Sequence, residues 1–416
     1  MDVLIKKATI LHESSDFHLS VKDMLISDGF ITLIQDEINH EDAKIISGNK
    51  LYCFIGLCDI GTHSGEPGYE HRETINSLTR SALAGGYTAL AVFPNNKPVT
   101  QTKADISFLA NHSDRNGVSI YPIGALSKDS KGIDIAEYMD MKSGGAVAFS
   151  DGLKSVQDTG LLGRALQYAS TTDVAIIHHP NDNYLSAGGE MHEGEMSTSL
   201  GMRGIPDIAE LHMVQRDILL NVYHNSQIIE HAISSARSVE VIRQAKNEQN
   251  NIQSTVAYMN LLFTDSDLYD FESNLKVSPV LRSEADQQHL IEGVNDDTVS
   301  AIVSNHTPLD EEAKNLEYPY ATPGATGLET CLSACFTYLS EKKVAFPTLV
   351  HKLTIAPRKL LKIEVPQIAV GVKADLCIFD AGVSWMCTKD TMASKSANNP
   401  FLGKELKGKV IATIVG

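Results

Sequence analysis

Five histidines lie where the sequence predicts the ends of buried strands. Each closes or follows a short apolar run, and the five are His63, His178, His179, His231 and His306. Imidazole is the commonest side-chain metal ligand, and ligands arriving from several strands can converge on one ion. A single histidine at such a position can equally cap a loop or bond a carbonyl group. Taken as a set, the five predict a metal site.

The elements that position these histidines follow a regular rhythm. Eight apolar runs lie between residues 51 and 340: YCFIGLCDI, YTALAVF, VSIYPIGAL, GAVAFS, VAIIHH, SQIIEHA, IQSTVAYM and VSAIVSN. Amphipathic stretches such as TGLLGRALQYAS and SARSVEVIRQAKNEQ follow most of them. Near-continuous apolar strands are typical of a parallel sheet buried on both faces, so the pattern predicts an α/β fold of the (β/α)8 TIM-barrel type. Reacting groups in such barrels lie at the carboxyl ends of the strands, where these histidines fall.

Both ends of the chain have a different pattern. Residues 1–52 and 366–416 alternate short strands with turns, as in DVLIKKATI and GKVIATIVG. Neither end holds enough strands to be stable alone. We therefore expect one small composite β domain built from both ends, beside a barrel spanning residues 53–365.

Composition narrows the class of protein. The 416 residues include 35 Lys and Arg against 52 Asp and Glu, a formal charge of −17, and 43% are hydrophobic. This excludes a disordered chain and disfavours a nucleic-acid binder. No apolar run approaches the roughly 18 residues of a membrane helix, and no secretory signal is recognisable. Six cysteines without a C-x-x-C motif predict reduced thiols in a cytoplasm, with Cys331 and Cys335 packed in the core.

Long ordered motifs give the chain a family resemblance. They are E-P-G-x-E-x-x-E-T-I at 66–75, A-G-G-[FY]-T at 84–88, P-N-x-K-P-V at 94–99, G-A-V-A-F-S-D at 145–151, P-G-x-x-G-L-E-T at 323–330 and S-K-S-x-N-x-P-F-x-G at 394–403. With them the chain resembles the bacterial dihydroorotases of the amidohydrolase superfamily over nearly its whole length. The resemblance implies a distorted TIM barrel with a composite β domain. It also implies zinc-dependent formation or opening of a six-membered cyclic amide in pyrimidine synthesis.

The resemblance assigns six metal or acid–base positions, of which half keep the family's residue type. The kept metal-ligand positions are His63, His179 and His231. Gly61 and Gly152 stand where the family has a histidine and a bridging aspartate, and Asn305 replaces the acid–base aspartate. A catalytic zinc usually has three protein ligands, and an amide cannot relay a proton. We therefore expect no zinc, or weakly bound zinc.

The substrate-binding positions also include both kept and replaced family residues. The resemblance implies substrate contacts from Asn95, Arg282 and His306, whereas Gly65, Ser278 and Leu309 replace family residues. Asp151 is kept beside Gly152, but one step along a strand turns a side chain to the opposite face. Lys154 lies past the strand in a loop, which disfavours a carboxylated lysine bridge.

These residues are compatible with two hypotheses of function. The first is a dihydroorotase-like protein with lost or very weak hydrolase activity, acting as a structural partner of aspartate transcarbamoylase, the partner that the resemblance suggests. The alternative is an active zinc-dependent cyclic amidohydrolase with one residual metal, whose third ligand would be His178, His306 or Asp151. We also expect a homo-oligomer, with neither nucleic acid nor membrane as a partner.

Overall fold

The computed structural model describes residues 2–112 and 117–416. The strands are β1 (Val3–Ile10), β2 (Val21–Ser27), β3 (Phe30–Gln35), β4 (Lys44–Ile46), β5 (Leu51–Ile55), β6 (Leu57–Thr62), β7 (Tyr87–Val92), β8 (Ser119–Ala125), β9 (Ala148–Ser150), β10 (Ala175–His178), β11 (Met191–His192), β12 (Gly204–Ile205), β13 (Ile228–Glu230), β14 (Ile252–Ala257), β15 (Ala301–Val303), β16 (Asp375–Met386) and β17 (Glu405–Val415). The α-helices are α1 (Ile75–Ala84), α2 (Lys103–Ala110), α3 (Tyr138–Ser143), α4 (Thr159–Thr172), α5 (Glu195–Ser199), α6 (Ile208–His224), α7 (Ala236–Asn247), α8 (Tyr258–Leu262), α9 (Glu284–Asn295), α10 (Glu311–Lys314), α11 (Cys331–Leu339), α12 (Phe346–Leu353) and α13 (Ile355–Leu360).

Eight parallel strands form a barrel, which confirms the predicted fold class. Their order is β6, β7, β8, β9, β10, β13, β14 and β15, the order of the chain. The first and last strands are joined at their carboxyl ends by the buried carboxylate of Asp59. It accepts hydrogen bonds from the Ser304 backbone N–H at 2.7 Å and from the Ser304 hydroxyl at 2.6 Å. The barrel is therefore held closed beside the predicted site.

Alternation along β7 shows how the barrel directs its side chains. Ala89, Ala91 and Phe93 belong to the interior cluster, whereas Leu90 and Val92 pack in the cluster between the strands and the surrounding helices. This two-residue period is the ordinary pleat of a strand. Phe93, the first residue after β7, therefore faces the barrel axis at the carboxyl end.

A separate sheet combines both ends of the chain. Its order is β17, β16, β5, β1, β2 and β3, with β4 pairing to β1. Only Gly56 separates β5 from β6, so this sheet leads directly into the first barrel strand. All six cysteines are unpaired and buried in the described structure. Among the described residues, no helix has both the length and the apolarity to cross a membrane.

Candidate active-site mouth

Three histidines meet at the carboxyl ends of the barrel strands, a region we call the barrel mouth. His63 follows β6, His179 follows β10 and His231 follows β13. Burial lowers the pKa of His63 and of His179 to about 4. Burial, together with the neighbouring His179 and His63, lowers the pKa of His231 to about 3. All three imidazoles are therefore neutral near pH 7.

The ring nitrogens of two of these histidines are left unused. The Nε2 atoms of His63 and His231 are buried and have no hydrogen-bond partner among the described residues. Such orphaned nitrogens are unusual in a folded protein and are what an empty ligand position would present. The aromatic ring of Phe93 contacts both, with centroid distances of 5.6 Å to His63 and 5.0 Å to His231.

Phe93 occupies the space that a side chain at position 61 would need. Gly61 has a φ of +90°, and a Cβ placed on it would lie 2.6 Å from Cε2 of Phe93. The same Cβ would lie 2.7 Å from Cε1 of His231. Real Cβ atoms do not approach other atoms so closely, because the repulsion is too strong. The sequence has no histidine at position 61, and in the structure the space for one is filled by the Phe93 side chain.

The second missing ligand position is filled in the same way. A Cβ on Gly152, whose φ is +66°, would lie 1.7 Å from Oδ1 of Asn95. The Asn95 side chain lies here because its Nδ2 donates to the carbonyl oxygen of Asp151 at 3.0 Å. An aspartate at position 152 therefore requires Asn95 to move.

The donor set left at the mouth does not fit a catalytic zinc. Its histidines are all neutral, and no carboxylate of the described residues forms a ligand group with them. In residues 2–112 and 117–416, the one group of three His, Cys, Asp or Glu side chains with ligand atoms within mutual reach lies elsewhere, at His178, Asp217 and Glu230. The ring nitrogens of His63, His179 and His231 do not form such a group, so these neutral imidazoles make a weak zinc site.

The group at His178 lies outside the barrel mouth. His178 precedes His179, so its side chain points out of the barrel. Its Nε2 accepts the backbone N–H of Val156 at 3.0 Å, which leaves the ring proton on Nδ1. That nitrogen lies 2.5 Å from Oδ2 of Asp217.

Asp151 and Lys154 are equally remote from the mouth. Asp151 accepts the backbone N–H of Ser127 at 2.9 Å and also its hydroxyl, so it faces away from the barrel axis as strand alternation predicts. Lys154 is exposed in the loop after β9. Neither residue is placed to supply the missing anion.

Asn305 holds the position of the acid–base aspartate in a fixed orientation. Its φ of +48° is left-handed, and its Nδ2 donates to the carbonyl oxygen of Ser278 at 2.9 Å. Its Oδ1 is buried without a partner in the described part of the chain. The amide fills the position but has no titratable proton for the reaction.

His306 is tied to a residue that sequence reasoning overlooked. Its Nδ1 accepts the backbone N–H of Gly327 at 3.1 Å, and its Nε2 lies 3.7 Å from Oε2 of Glu73. Both side chains are fully buried. Glu73 is the third glutamate of the E-P-G-x-E-x-x-E motif, and this motif was the one available signal for its importance.

Arg282 likewise contacts other protein groups. Its Nε donates to the Ser234 hydroxyl at 2.7 Å, and its guanidinium lies 3.9 Å from the carboxylate of Glu210. The substrate roles of Arg282, His306 and Asn95 stay predictions.

A cavity of about 220 Å³ remains at the mouth. Its lining residues are His63, Gly65, Tyr69, Arg72, Asn95, Thr307, Pro308, Leu309, Thr322 and Pro323. Gly65 has a φ of +71°, and a Cβ on it would lie 2.4 Å from the backbone oxygen of Glu73. The family's arginine therefore has no room there. The one arginine in the lining, Arg72, already pairs with Asp310 at 3.3 Å.

Comparison with known proteins identifies the family. A family profile described as Dihydro-orotase-like matches residues 51–238. A dihydroorotase from Pelotomaculum thermopropionicum is 40% identical over 417 residues, covering 100% of this chain and 97% of that protein. The chain belongs to the dihydroorotase family. A dihydroorotase from Syntrophus aciditrophicus is 37% identical, covering 100% of this chain and 98% of that protein.

A solved structure gives the same fold. An L-hydantoinase from Arthrobacter aurescens superposes with a TM-score of 0.86 at 23% identity, covering 100% of this chain and 94% of that chain. The chain thus has this fold from the first strand to the last.

The contact between Gly61 and Phe93 makes a stability prediction. Gly61→Ala should lower the free energy of unfolding by about 1–3 kcal/mol, because the added methyl group overpacks the mouth. Gly132→Ala is the matched control, since Gly132 also has a positive φ, +68°, but no described atom within 4 Å of a Cβ. Urea denaturation of both variants measures the difference. The cost of Gly61→Ala should shrink in a Phe93→Ala background, and an equal cost there would contradict the contact.

Proposed function

We propose that this chain is a catalytically inactive dihydroorotase-like protein, retained in the cytoplasm as a structural partner of aspartate transcarbamoylase. The observation that carries the proposal is the Phe93 ring, which lies against Gly61 and His231 where the resemblance implies a metal-ligating histidine. Amide hydrolysis in this family needs an activated water and a proton relay. The mouth offers neutral imidazoles and the amide of Asn305 instead.

The kept motifs support retention as a scaffold, because their residues hold backbone segments together. Asn398 of the tail motif donates through Nδ2 to the Thr307 carbonyl oxygen at 2.9 Å and accepts the Leu309 N–H at 3.1 Å. Glu73 of the first motif is buried against His306. Residues with such structural tasks are kept, whereas half of the metal and acid–base positions carry another residue type.

Co-assembly tests the proposed partnership. The chain and the aspartate transcarbamoylase of the same organism would be co-expressed with a tag on one of them, and then examined by sedimentation velocity. We expect a stoichiometric complex that survives gel filtration. Separate sedimentation of the two proteins in equimolar mixtures would overturn the partnership. Comparing transcarbamoylase activity with and without the chain would then show whether the chain also affects that enzyme.

One observation favours the alternative, an active cyclic amidohydrolase with a single residual metal. The Nε2 atoms of His63 and His231 are buried without partners in the described structure, as metal ligands are before binding. The three candidates for a third ligand are already bonded elsewhere: His178 to Asp217, Asp151 to Ser127, and His306 to Gly327. Zinc-dependent turnover that His231→Ala abolishes would establish this alternative in place of the inactive protein.

A further inference from the structure

A hydroxyl, an imidazole and a carboxylate form a chain of contacts on the outer side of the barrel strands. The Ser155 hydroxyl oxygen lies 3.2 Å from Nε2 of His178. Nδ1 of the same ring lies 2.5 Å from Oδ2 of Asp217. A nucleophile, a base and a group that orients the base, each within hydrogen-bond reach of the next, are the parts of a serine hydrolase triad.

The three groups differ in exposure in the way that such a triad requires. His178 and Asp217 are 2% and 0% exposed, whereas Ser155 is partly exposed in the loop between β9 and α4. Burial holds the base and the carboxylate in one orientation, which a reacting site needs. A substrate can therefore reach the hydroxyl from solvent, while the protein surrounds the two groups that act on it.

Hydrogen bonds set the proton positions that this chemistry needs. Nε2 of His178 accepts the Val156 N–H at 3.0 Å, so the ring proton is on Nδ1 and faces Asp217. The Ser155 oxygen accepts the Asn181 N–H at 3.2 Å, which leaves the hydroxyl proton for Nε2. The Val156 N–H and the Ser155 hydroxyl share the one lone pair on Nε2. Proton uptake there releases the Val156 N–H, so we expect slow turnover.

A second residue of α6 holds the carboxylate in place. Nε of Arg216 donates to Oδ1 of Asp217 at 2.7 Å, which leaves Oδ2 to face His178. Nη1 of Arg216 donates to the Val156 carbonyl oxygen at 2.8 Å, in the loop that carries Ser155. One guanidinium thus fixes both ends of the triad relative to each other. The backbone N–H of Ser155 donates to no group in the described part of the chain, so it is free to bind the oxyanion that forms.

We propose that Ser155, His178 and Asp217 form a second site, outside the barrel mouth, that hydrolyses small carboxylic esters. The Ser155 oxygen bonds to the carbonyl carbon of the ester while its proton moves to Nε2 of His178. The bond from that carbon to the alcohol oxygen then breaks, and the alcohol leaves with this proton. Water attacks the acyl group on Ser155 with His178 again as the base. This step releases the carboxylic acid and returns a proton to the Ser155 oxygen.

The local structure sets the class of substrate. Esters are expected because an alcohol leaves more readily than an amine, and the base here shares its lone pair with a backbone N–H. The Gln157 side chain donates to the carbonyl oxygens of Ser155 and Asn181 at 3.1 and 3.0 Å, so the loop lies close against the segment after β10. This close packing favours a short acyl group. The site uses none of the mouth histidines, so it does not depend on the function proposed above.

A fluorophosphonate probe tests the nucleophile, because such probes react with serine hydroxyls that a neighbouring base activates. Mass spectrometry of the digested wild-type chain should find the label on Ser155, and Ser155→Ala should remove it. Ser170→Ala is the matched control and should label like the wild-type chain, because Ser170 is an exposed serine whose hydroxyl donates to a backbone carbonyl oxygen at 2.7 Å. An unlabelled wild-type chain, or label on other serines alone, would overturn the proposal.

Hydrolysis of p-nitrophenyl acetate measures the activity. Ser155→Ala and His178→Gln should each lower kcat/KM by about 10²-fold or more, with the melting temperature of Ser155→Ala unchanged. Asp217→Asn should lower kcat with little change in KM, because an amide does not hold the ring in the required tautomer. Turnover that Ser155→Ala leaves unchanged overturns the proposal. If His231→Ala abolishes that same turnover, the activity belongs to the mouth, and the inactive-protein proposal fails as well.

Discussion

Purified protein is expected to show no measurable hydrolysis of dihydroorotate and no measurable cyclisation of carbamoyl aspartate. Loss of a general acid–base group alone typically costs about 10²–10⁴-fold in rate, and Asn305 stands where that group belongs. The mouth also lacks two of the family's metal-ligand positions, because the space at Gly61 and Gly152 is taken by Phe93 and Asn95. The loss of the acid–base group and the loss of the metal ligands both affect the attack of water on the amide. Restoring one residue is therefore not expected to restore activity.

The assay needs a control for contaminating host enzyme. His179→Ala and His231→Ala remove two kept ligand positions, and any residual signal should be the same in both variants as in the wild-type chain. A signal that falls in step with each variant would mean that the mouth itself is active. The inactive-protein proposal would then be wrong.

Glu73→Ala is expected to destabilise the protein by about 3–5 kcal/mol, as removal of one member of a buried charged network does. The Glu73 carboxylate accepts the hydroxyls of Ser77 and Ser394 and the Lys395 N–H, the last at 3.2 Å. It thereby joins the start of α1, the loop after β15 and the tail motif. Urea denaturation measures the loss. Glu70→Ala in the same motif is the control, and as an exposed site it should change stability by less than about 0.5 kcal/mol.

The pH dependence of this difference follows from the pKa of Glu73. Burial opposes ionisation, but the nearby His306 and the hydrogen bonds from Ser394 and Ser77 outweigh it and lower the pKa of Glu73 below its ordinary 4.5. A carboxylate with a lowered pKa stabilises the fold above the unfolded value and loses that effect as the pH falls below it. The gap between wild type and Glu73→Ala should therefore be full at pH 7 and narrow below about pH 4.5. A gap that stays constant would show that Glu73 acts by packing alone.

Sequence reasoning was most successful where one physical period dominates. The eight apolar runs predicted the barrel because strands buried on both faces carry little else. The two-residue alternation of a strand also makes the neighbouring side chains of His178 and His179 point in opposite directions. Both lie at one strand end, and alternation sends the first outward to Asp217 and the second into the mouth. Assigning a role to each required the family resemblance or the structure, since the sequence alone does not give the register.

Two features follow only from the structure, because they depend on contacts between distant segments. In the sequence, Phe93 is an apolar residue at a strand end and has the pattern of core packing. Its partner Gly61 belongs to a different strand, so the sequence does not show their contact. Glu73 depends on His306, in the loop after the last barrel strand.

The zinc content of the purified protein is the most direct test of the central claim that the mouth no longer forms a metal site. The chain would be produced and purified with zinc present and its metal measured by elemental analysis, alongside His231→Ala. We predict less than roughly a tenth of an equivalent per chain, indistinguishable between the two, because a zinc site needs about three well-placed ligands. About one equivalent in the wild-type chain that is lost in His231→Ala would contradict the claim.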